Sequence, residues 1–210
     1  MSEGLFVKIC GITRAEDAEL AGELGASAIG LIFWPGSPRY IEPAAAKKIV
    51  RSLASDVAAI GVFVDQPAAE VSQIADEVGL SGIQLHGDES PDYCGKIRGR
   101  LIKAIRLNGP YPINEYSQQI LMLLDAEDKD RRGGTGRTID WIVASGVAEM
   151  RPTILSGGLN PGNVVEAIAT VQPYGIDVSS GVESSPGIKD PGLMRQFFAV
   201  LPSARARLHD

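Results

Sequence analysis

Residues 153–183 read TILSGGLNPGNVVEAIATVQPYGIDVSSGVE, and this stretch decides the fold. Two short apolar, β-branched runs, Thr153–Ser156 and Gly175–Ser179, enclose an amphipathic segment at about Pro161–Ala169. Asn160-Pro161 sets an N-cap residue before a proline at the first helical position. Strand, helix and strand in that order make a βαβ unit, in which the strands run parallel and the crossover is right-handed. Both strands run out into glycine, Ser156-Gly157-Gly158 after one and Ser179-Ser180-Gly181 after the other.

The same alternation fills the rest of the chain. Six further strands are expected at Phe6–Cys10, Ala28–Phe33, Ala58–Val64, Gly82–His86, Leu101–Leu107 and Ile120–Asp125. Helical stretches fall at about Ala15–Leu24, Pro43–Leu53, Ala68–Val78, Pro91–Ile97, Asp140–Ala144 and Pro191–Val200, the last behind an Asp190-Pro191 start signal. The segment from Pro112 to Gln119 has the weakest helical pattern. Eight βα units in 210 residues, with no linker and no low-complexity tract, predict one α/β domain over residues 1–210. A closed (β/α)₈ TIM barrel fits this spacing better than an open doubly wound sheet.

Composition narrows the partners. A net charge of −6 disfavours nucleic acid and anionic membranes, and the basic cluster Lys129, Arg131 and Arg132 is diluted by Asp128 and Asp130. No segment reaches the roughly 18 consecutive apolar residues of a membrane span. An anionic small molecule would therefore be held by local backbone amides. Cys10 and Cys94 show neither a disulfide framework nor metal spacing. The histidines, His86 and His209, are too few for a metal site. The N-terminal MSEGLFVKIC lacks a signal-peptide pattern, so a reducing cytoplasm is expected. Monomer and homodimer both stay open.

In a βα barrel the active site lies where strands pass into their βα loops. The glycine exits of the last two strands sit where this fold recurrently binds phosphate, and a short helix near Gly181 would add its positive end. Gly157, Gly158, Ser179, Ser180 and Gly181 are thus candidate phosphate-binding residues. Cys10 ends the first strand, on the same inward face as Lys8, whereas Val7 and Ile9 point to the helices. A buried lysine must be paired, and Asp177 on the eighth strand is the expected partner. That pair is structural support, with a positive member able to favour a Cys10 thiolate. Cys94 reads as a small buried hydrophobe.

Asp125 ends an apolar run, where partial desolvation favours the neutral carboxylic acid and suits it to give a proton. The loop after it, with Gly133, Gly134 and Gly136, has the make-up of a lid. Arg39, in a proline-stiffened loop, suits a bidentate carboxylate contact as well as it suits a solvated surface position. His86 is a candidate substrate contact. These residues alone support a phosphate-binding barrel with an acid and a candidate base.

Eight motifs in order carry a resemblance: Lys8-Ile-Cys-Gly-Ile-Thr, Ser37-Pro-Arg-Tyr-Ile, Gly61-Val-Phe-Val, Ile83-Gln-Leu-His-Gly-Asp-Glu, Leu124-Asp-Ala, Gly133-Gly-Thr-Gly, Leu155-Ser-Gly-Gly-Leu and Asp177-Val-Ser-Ser-Gly-Val-Glu. Together they resemble the phosphoribosylanthranilate isomerases of tryptophan biosynthesis, from about Phe6 to the last helix. The resemblance implies a cofactor-free barrel that performs an Amadori rearrangement, converting N-(5-phosphoribosyl)anthranilate into 1-(2-carboxyphenylamino)-1-deoxyribulose 5-phosphate. It also implies that Cys10 is the general base and Asp125 the general acid. Arg39 would then meet the anthranilate carboxylate, and the two glycine loops the phosphate. Ile139, before Asp140, departs from the aromatic residue the pattern leads one to expect.

Two other functions compete. A related barrel isomerises the aminoaldose of histidine synthesis, or serves both pathways; by resemblance those barrels carry aspartates at both catalytic strand ends, which Cys10 is not. A non-catalytic phosphosugar-binding barrel would explain the glycine loops but leaves Cys10 and Asp125 without a role.

Overall fold

A computed structural model describes residues 4–105, 112–125 and 141–201. Eight strands, β1 (Phe6–Cys10), β2 (Ala28–Ile32), β3 (Ala58–Phe63), β4 (Gly82–Leu85), β5 (Leu101–Ile105), β6 (Leu121–Leu124), β7 (Thr153–Leu155) and β8 (Gly175–Val178), pair in sequence order. All pairings are parallel, and β8 returns to pair with β1, which closes the barrel. The helices are α1 (Ala15–Leu24), α2 (Pro43–Ser52), α3 (Ala68–Val78), α4 (Pro91–Cys94), α5 (Trp141–Met150), α6 (Val164–Val171) and α7 (Pro191–Val200). The expected (β/α)₈ barrel is the observed fold. Among the described residues no helix is long and apolar enough to cross a membrane.

Boundaries differ from expectation in physically simple ways. His86, Asp125, Ser156 and Ser179 fall just beyond their strands, because ordered pairing stops one residue earlier than the apolar run. A ladder bond still reaches three of them: the amides of His86, Asp125 and Ser156 donate to Phe63 O (2.8 Å), Ile105 O (3.2 Å) and Leu124 O (2.9 Å). Those bonds carry the strand alternation into the loops. Asp190 caps α7 as expected, its carboxylate accepting from the Leu193 amide at 2.9 Å. Asn160 does not cap α6. Its side chain accepts from the Gly162 amide at 2.9 Å and builds a turn, so the helix opens only at Val164. α4 is cut short at Cys94, where the expected helix ran to Ile97. In the 112–119 segment only a 3₁₀ turn forms, at Ile113–Glu115. The ends expected at Leu107 and Asp140, and the lid glycines 133, 134 and 136, lie outside the described residues. One element was not anticipated: β9 (Glu183–Ser185) and β10 (Ile188–Lys189) form an antiparallel hairpin after β8.

Period-two alternation divides the side chains into two layers. Val7, Ile9, Ile29, Leu31 and Ile176 join the helices in the outer core. Phe6, Ala28, Ile60, Ile102, Ala104, Leu123 and Ile154 form the plug inside the barrel. Gly175 makes room for it, since a Cβ there would lie 2.7 Å from Phe6 O and 2.8 Å from the Phe6 ring. Above Phe6, Lys8 is fully buried and pairs with Asp177 at 2.9 Å. The two are direct register partners across the β1–β8 seam.

A buried ion pair costs desolvation, and removing one partner leaves the other charge uncompensated. Lys8→Met should therefore cost about 3–5 kcal/mol in urea unfolding, whereas the double variant Lys8→Met/Asp177→Leu should recover most of it. Equal losses for single and double variants would contradict the pairing.

Candidate active site

The place of the first candidate side chain follows from strand parity. With Phe6 and Lys8 inside, Cys10 also points inward, at the open end of β1, and is 7% exposed. The neighbouring position on β2 must be small. A Cβ at Gly30 would stand 2.8 Å from Cys10 Sγ and 3.0 Å from Lys8 Nζ, so glycine there clears a column for the thiol and the ammonium.

The electrostatics of that column differ from expectation. Burial would lower the Lys8 pKa, but Asp177 and then Cys10 outweigh it and keep the ammonium protonated. Burial also pushes the Cys10 thiol up, and the pull of Lys8 and Lys189 toward the thiolate does not fully cancel it. Lys8 thus favours the thiolate, as read from sequence, yet the net shift is upward because desolvation of the largely buried sulfur is the larger effect.

Across the mouth, Asp125 follows β6 and is hydrogen-bonded to His86, Nε2 to Oδ2 2.9 Å. His86 Nδ1 lies 2.8 Å from the amide nitrogen of Gln84, an inward-facing residue of β4. The tautomer with its proton on Nε2 donates to the Asp125 carboxylate, which when ionised can only accept. His86 thus orients Asp125 and is also a wall of the cavity. Beneath this loop Glu89 accepts from the amides of Asp65 and Gly87, each at 3.0 Å, and pairs with Lys103 at 2.9 Å, both side chains almost wholly buried. That pair fixes the exits of β3 and β4 relative to each other.

The two late loops converge. Gly157 and Gly158 have φ of 90° and 65°, left-handed values that glycine adopts without strain. After β8 the chain makes one 3₁₀ turn, Ser180–Val182. A Cβ at Gly181 would overlap the Leu159 carbonyl oxygen, so this glycine lets the β8 loop press against the β7 loop. Ser179 Oγ is buried and has no hydrogen-bond partner among the described residues.

Arg39 reaches the mouth over Gly11, where a Cβ would stand 2.5 Å from Arg39 Cδ. Its guanidinium grips Glu183, Nε to Oε1 2.9 Å and Nη2 to Oε2 2.7 Å. It is therefore an ordered residue of the mouth and not a solvated surface arginine. Lys189 Nζ meets the same carboxylate at 2.8 Å and the Cys10 carbonyl at 2.6 Å. Burial would raise the Glu183 pKa; hydrogen bonds from Arg39 and Lys189 outweigh it and hold the carboxyl below its ordinary range.

One cavity of about 690 Å³ joins these groups. Cys10, Arg39, His86, Asp125, Gly157, Gly158, Asp177, Ser179 and Ser180 all line it. Lys8 and Gly181 are not among its lining residues. Sequence reasoning missed Gly30, Lys103 and Lys189, and gave Gln84, Glu89 and Glu183, each quoted within a motif, no role. Alternation could have placed Gln84 beside His86; the others need spatial neighbours that spacing does not reveal.

A family model described as N-(5'-phosphoribosyl)anthranilate (PRA) isomerase matches residues 7–200. A curated N-(5'-phosphoribosyl)anthranilate isomerase of Geobacter sp. strain M21 is 47% identical over 201 residues, covering 92% of this chain and 96% of the relative. The crystal structure of phosphoribosyl anthranilate isomerase from Thermus thermophilus matches with a TM-score of 0.83 at 40% identity, over 93% of this chain and 97% of that one. Another, solved in complex with reduced 1-(o-carboxyphenylamino)-1-deoxyribulose 5-phosphate, matches with a TM-score of 0.80 at 38% identity, covering 92% and 96%. A family model spanning nearly all of the barrel, with relatives this similar along almost their whole length, shows that the chain belongs to the N-(5'-phosphoribosyl)anthranilate isomerase family.

Proposed function

We propose that Cys10 and Asp125 are the base and acid with which this chain isomerises N-(5'-phosphoribosyl)anthranilate, the Amadori step of tryptophan biosynthesis. The observation that carries the assignment is that a thiol and a carboxyl line the same cavity as two convergent glycine loops. Asp125 protonates the ribose ring oxygen while the anilino nitrogen expels it, which opens the ring to a Schiff base. Cys10, as the thiolate, then takes the proton from C2, whose acidity the iminium raises, and the resulting enolamine tautomerises to the ketone. His86 Nε2–H, 2.9 Å from Asp125, is placed to stabilise the carboxylate left after proton transfer.

The phosphate is assigned to Gly157, Gly158, Ser179, Ser180 and Gly181. Left-handed glycines expose amide N–H groups, and the buried Ser179 hydroxyl gains a partner when an anion binds there. Anchoring the remote phosphate holds C2 between the two catalytic groups. Arg39 is assigned to the anthranilate carboxylate. A working Cys10 must stay reduced, which fits a cytoplasmic enzyme.

Cys10→Ala and Asp125→Asn should each lower kcat about 10²–10⁴-fold with little change in KM, followed by the loss of substrate fluorescence. Near-normal kcat in either variant would remove that residue from the chemistry, and turnover of the histidine-pathway aminoaldose would favour the dual-substrate reading.

The raised thiol pKa gives a second test. In the unliganded enzyme the Cys10 thiolate is a minority species at neutral pH and grows as pH rises through a value above the ordinary range of about 8.5. Inactivation by iodoacetamide should accelerate up to that alkaline midpoint. A midpoint below the ordinary cysteine value would show that Lys8 outweighs burial.

A further inference from the structure

The carboxylate of Glu183 is saturated. Its oxygens accept from Arg39 Nε and Nη2, from Lys189 Nζ at 2.8 Å and from the Gly187 amide at 3.3 Å, and the side chain is 4% exposed. One carboxylate thus meets two cationic side chains, of which Lys189 has its pKa lowered by burial against the pull of Glu183. The β9–β10 hairpin that carries Glu183 and Lys189 is itself fastened to the mouth. Thr13 Oγ1 donates to Gly187 O at 2.5 Å, and Asp17 accepts from the Lys189 amide at 3.1 Å.

A guanidinium has two edges able to grip a carboxylate, one formed by Nε and Nη2 and the other by Nη1 and Nη2. Glu183 takes the first. We propose that Glu183, held by Lys189 on the β9–β10 hairpin, is a positioning residue that fixes the direction in which the Arg39 guanidinium meets the carboxylate of the substrate's aromatic ring. It thereby sets the preference for carboxylated substrates. The proposal rests on the reading of Arg39 as the carboxylate contact. A neutral partner in place of Glu183 would hold one edge less firmly and bring Arg39 and Lys189 into unscreened repulsion, so the fork would lose its fixed direction. Lys189 also meets the carbonyl oxygens of Cys10 at 2.6 Å and Ser179 at 3.3 Å, so a change common to both substrates reports that contact, and a change in the preference between them reports Arg39.

The experiment compares N-(5'-phosphoribosyl)anthranilate with N-(5'-phosphoribosyl)aniline, which lacks the carboxylate, in the wild type, Glu183→Gln and Arg39→Ala. Glu183→Gln should cut the preference for the carboxylated substrate about tenfold or more through KM, with kcat within about threefold of wild type. Arg39→Ala should abolish the preference. If Arg39→Ala loses it and Glu183→Gln keeps it, the positioning role is overturned and the Arg39 reading stands. If Arg39→Ala keeps it, the Arg39 reading fails and the proposal with it. Equal losses on both substrates in Glu183→Gln would mark the hairpin as general support and also overturn the proposal. Should Glu183→Gln fail to fold by near-ultraviolet circular dichroism, Glu183→Asp keeps the charge and retracts it by one methylene. Loss of preference is again expected there, and an unchanged preference overturns the proposal.

Discussion

The ion pair between Lys8 and Asp177 sits at the seam where the first strand meets the last, and the site is organised around it. Closing a parallel sheet on itself buries one face of every strand. Below the pair that face is an apolar plug; above it come the thiol of Cys10 and the open cavity. Without its partner Lys8 would be a lone charge in a low-dielectric interior, a state proteins avoid. With it, the barrel holds a cation one inward position below the thiol. The Gly30 gap keeps the column of Lys8 and Cys10 from being crowded out by the second strand.

Two further sets of buried charges repeat this logic around the rim. Lys103 and Glu89 lock the exits of the third and fourth strands, which carry His86 toward Asp125. Arg39, Glu183 and Lys189 tie the loop after the second strand to the hairpin after the eighth. Such groups add little to stability compared with apolar packing, because desolvation offsets much of their attraction. What they fix is direction. A planar guanidinium or a ring nitrogen engaged on one side can present its other side in only one orientation.

Much of this was legible in the sequence, for identifiable reasons. Strand–helix alternation from Phe6 to Val200 gave the barrel, because period two and period 3.6 leave different apolar patterns. Parity along Phe6–Cys10 placed Lys8 and Cys10 on one inward face, and the neighbouring eighth strand supplied Asp177. The paired glycine exits marked the loops that converge at Gly181 and Leu159. Other features were hidden because they depend on distant neighbours. Glu183 stands 144 residues from Arg39, and nothing local distinguishes it from any loop glutamate. Gly30 reads as an ordinary strand glycine until Cys10 is seen beside it. The upward shift of the thiol could not be read either, since the balance between burial and Lys8 depends on how completely the sulfur is enclosed. At Asn160 the start signal misled: its side chain builds a turn with the Gly162 amide, and the helix opens only at Val164.

The central claim is that one cavity holds the phosphate on the two late loops and the reacting carbons between Cys10 and Asp125. A crystal structure of this chain with the reduced, unreactive product analogue tests it most directly. The account predicts the phosphate against the amides of Gly157, Gly158 and Ser180, with Cys10 Sγ about 3–3.5 Å from C2. It further predicts the Asp125 carboxyl on the opposite flank of the sugar. A phosphate bound elsewhere, or a C2 carbon out of reach of Cys10, would contradict it.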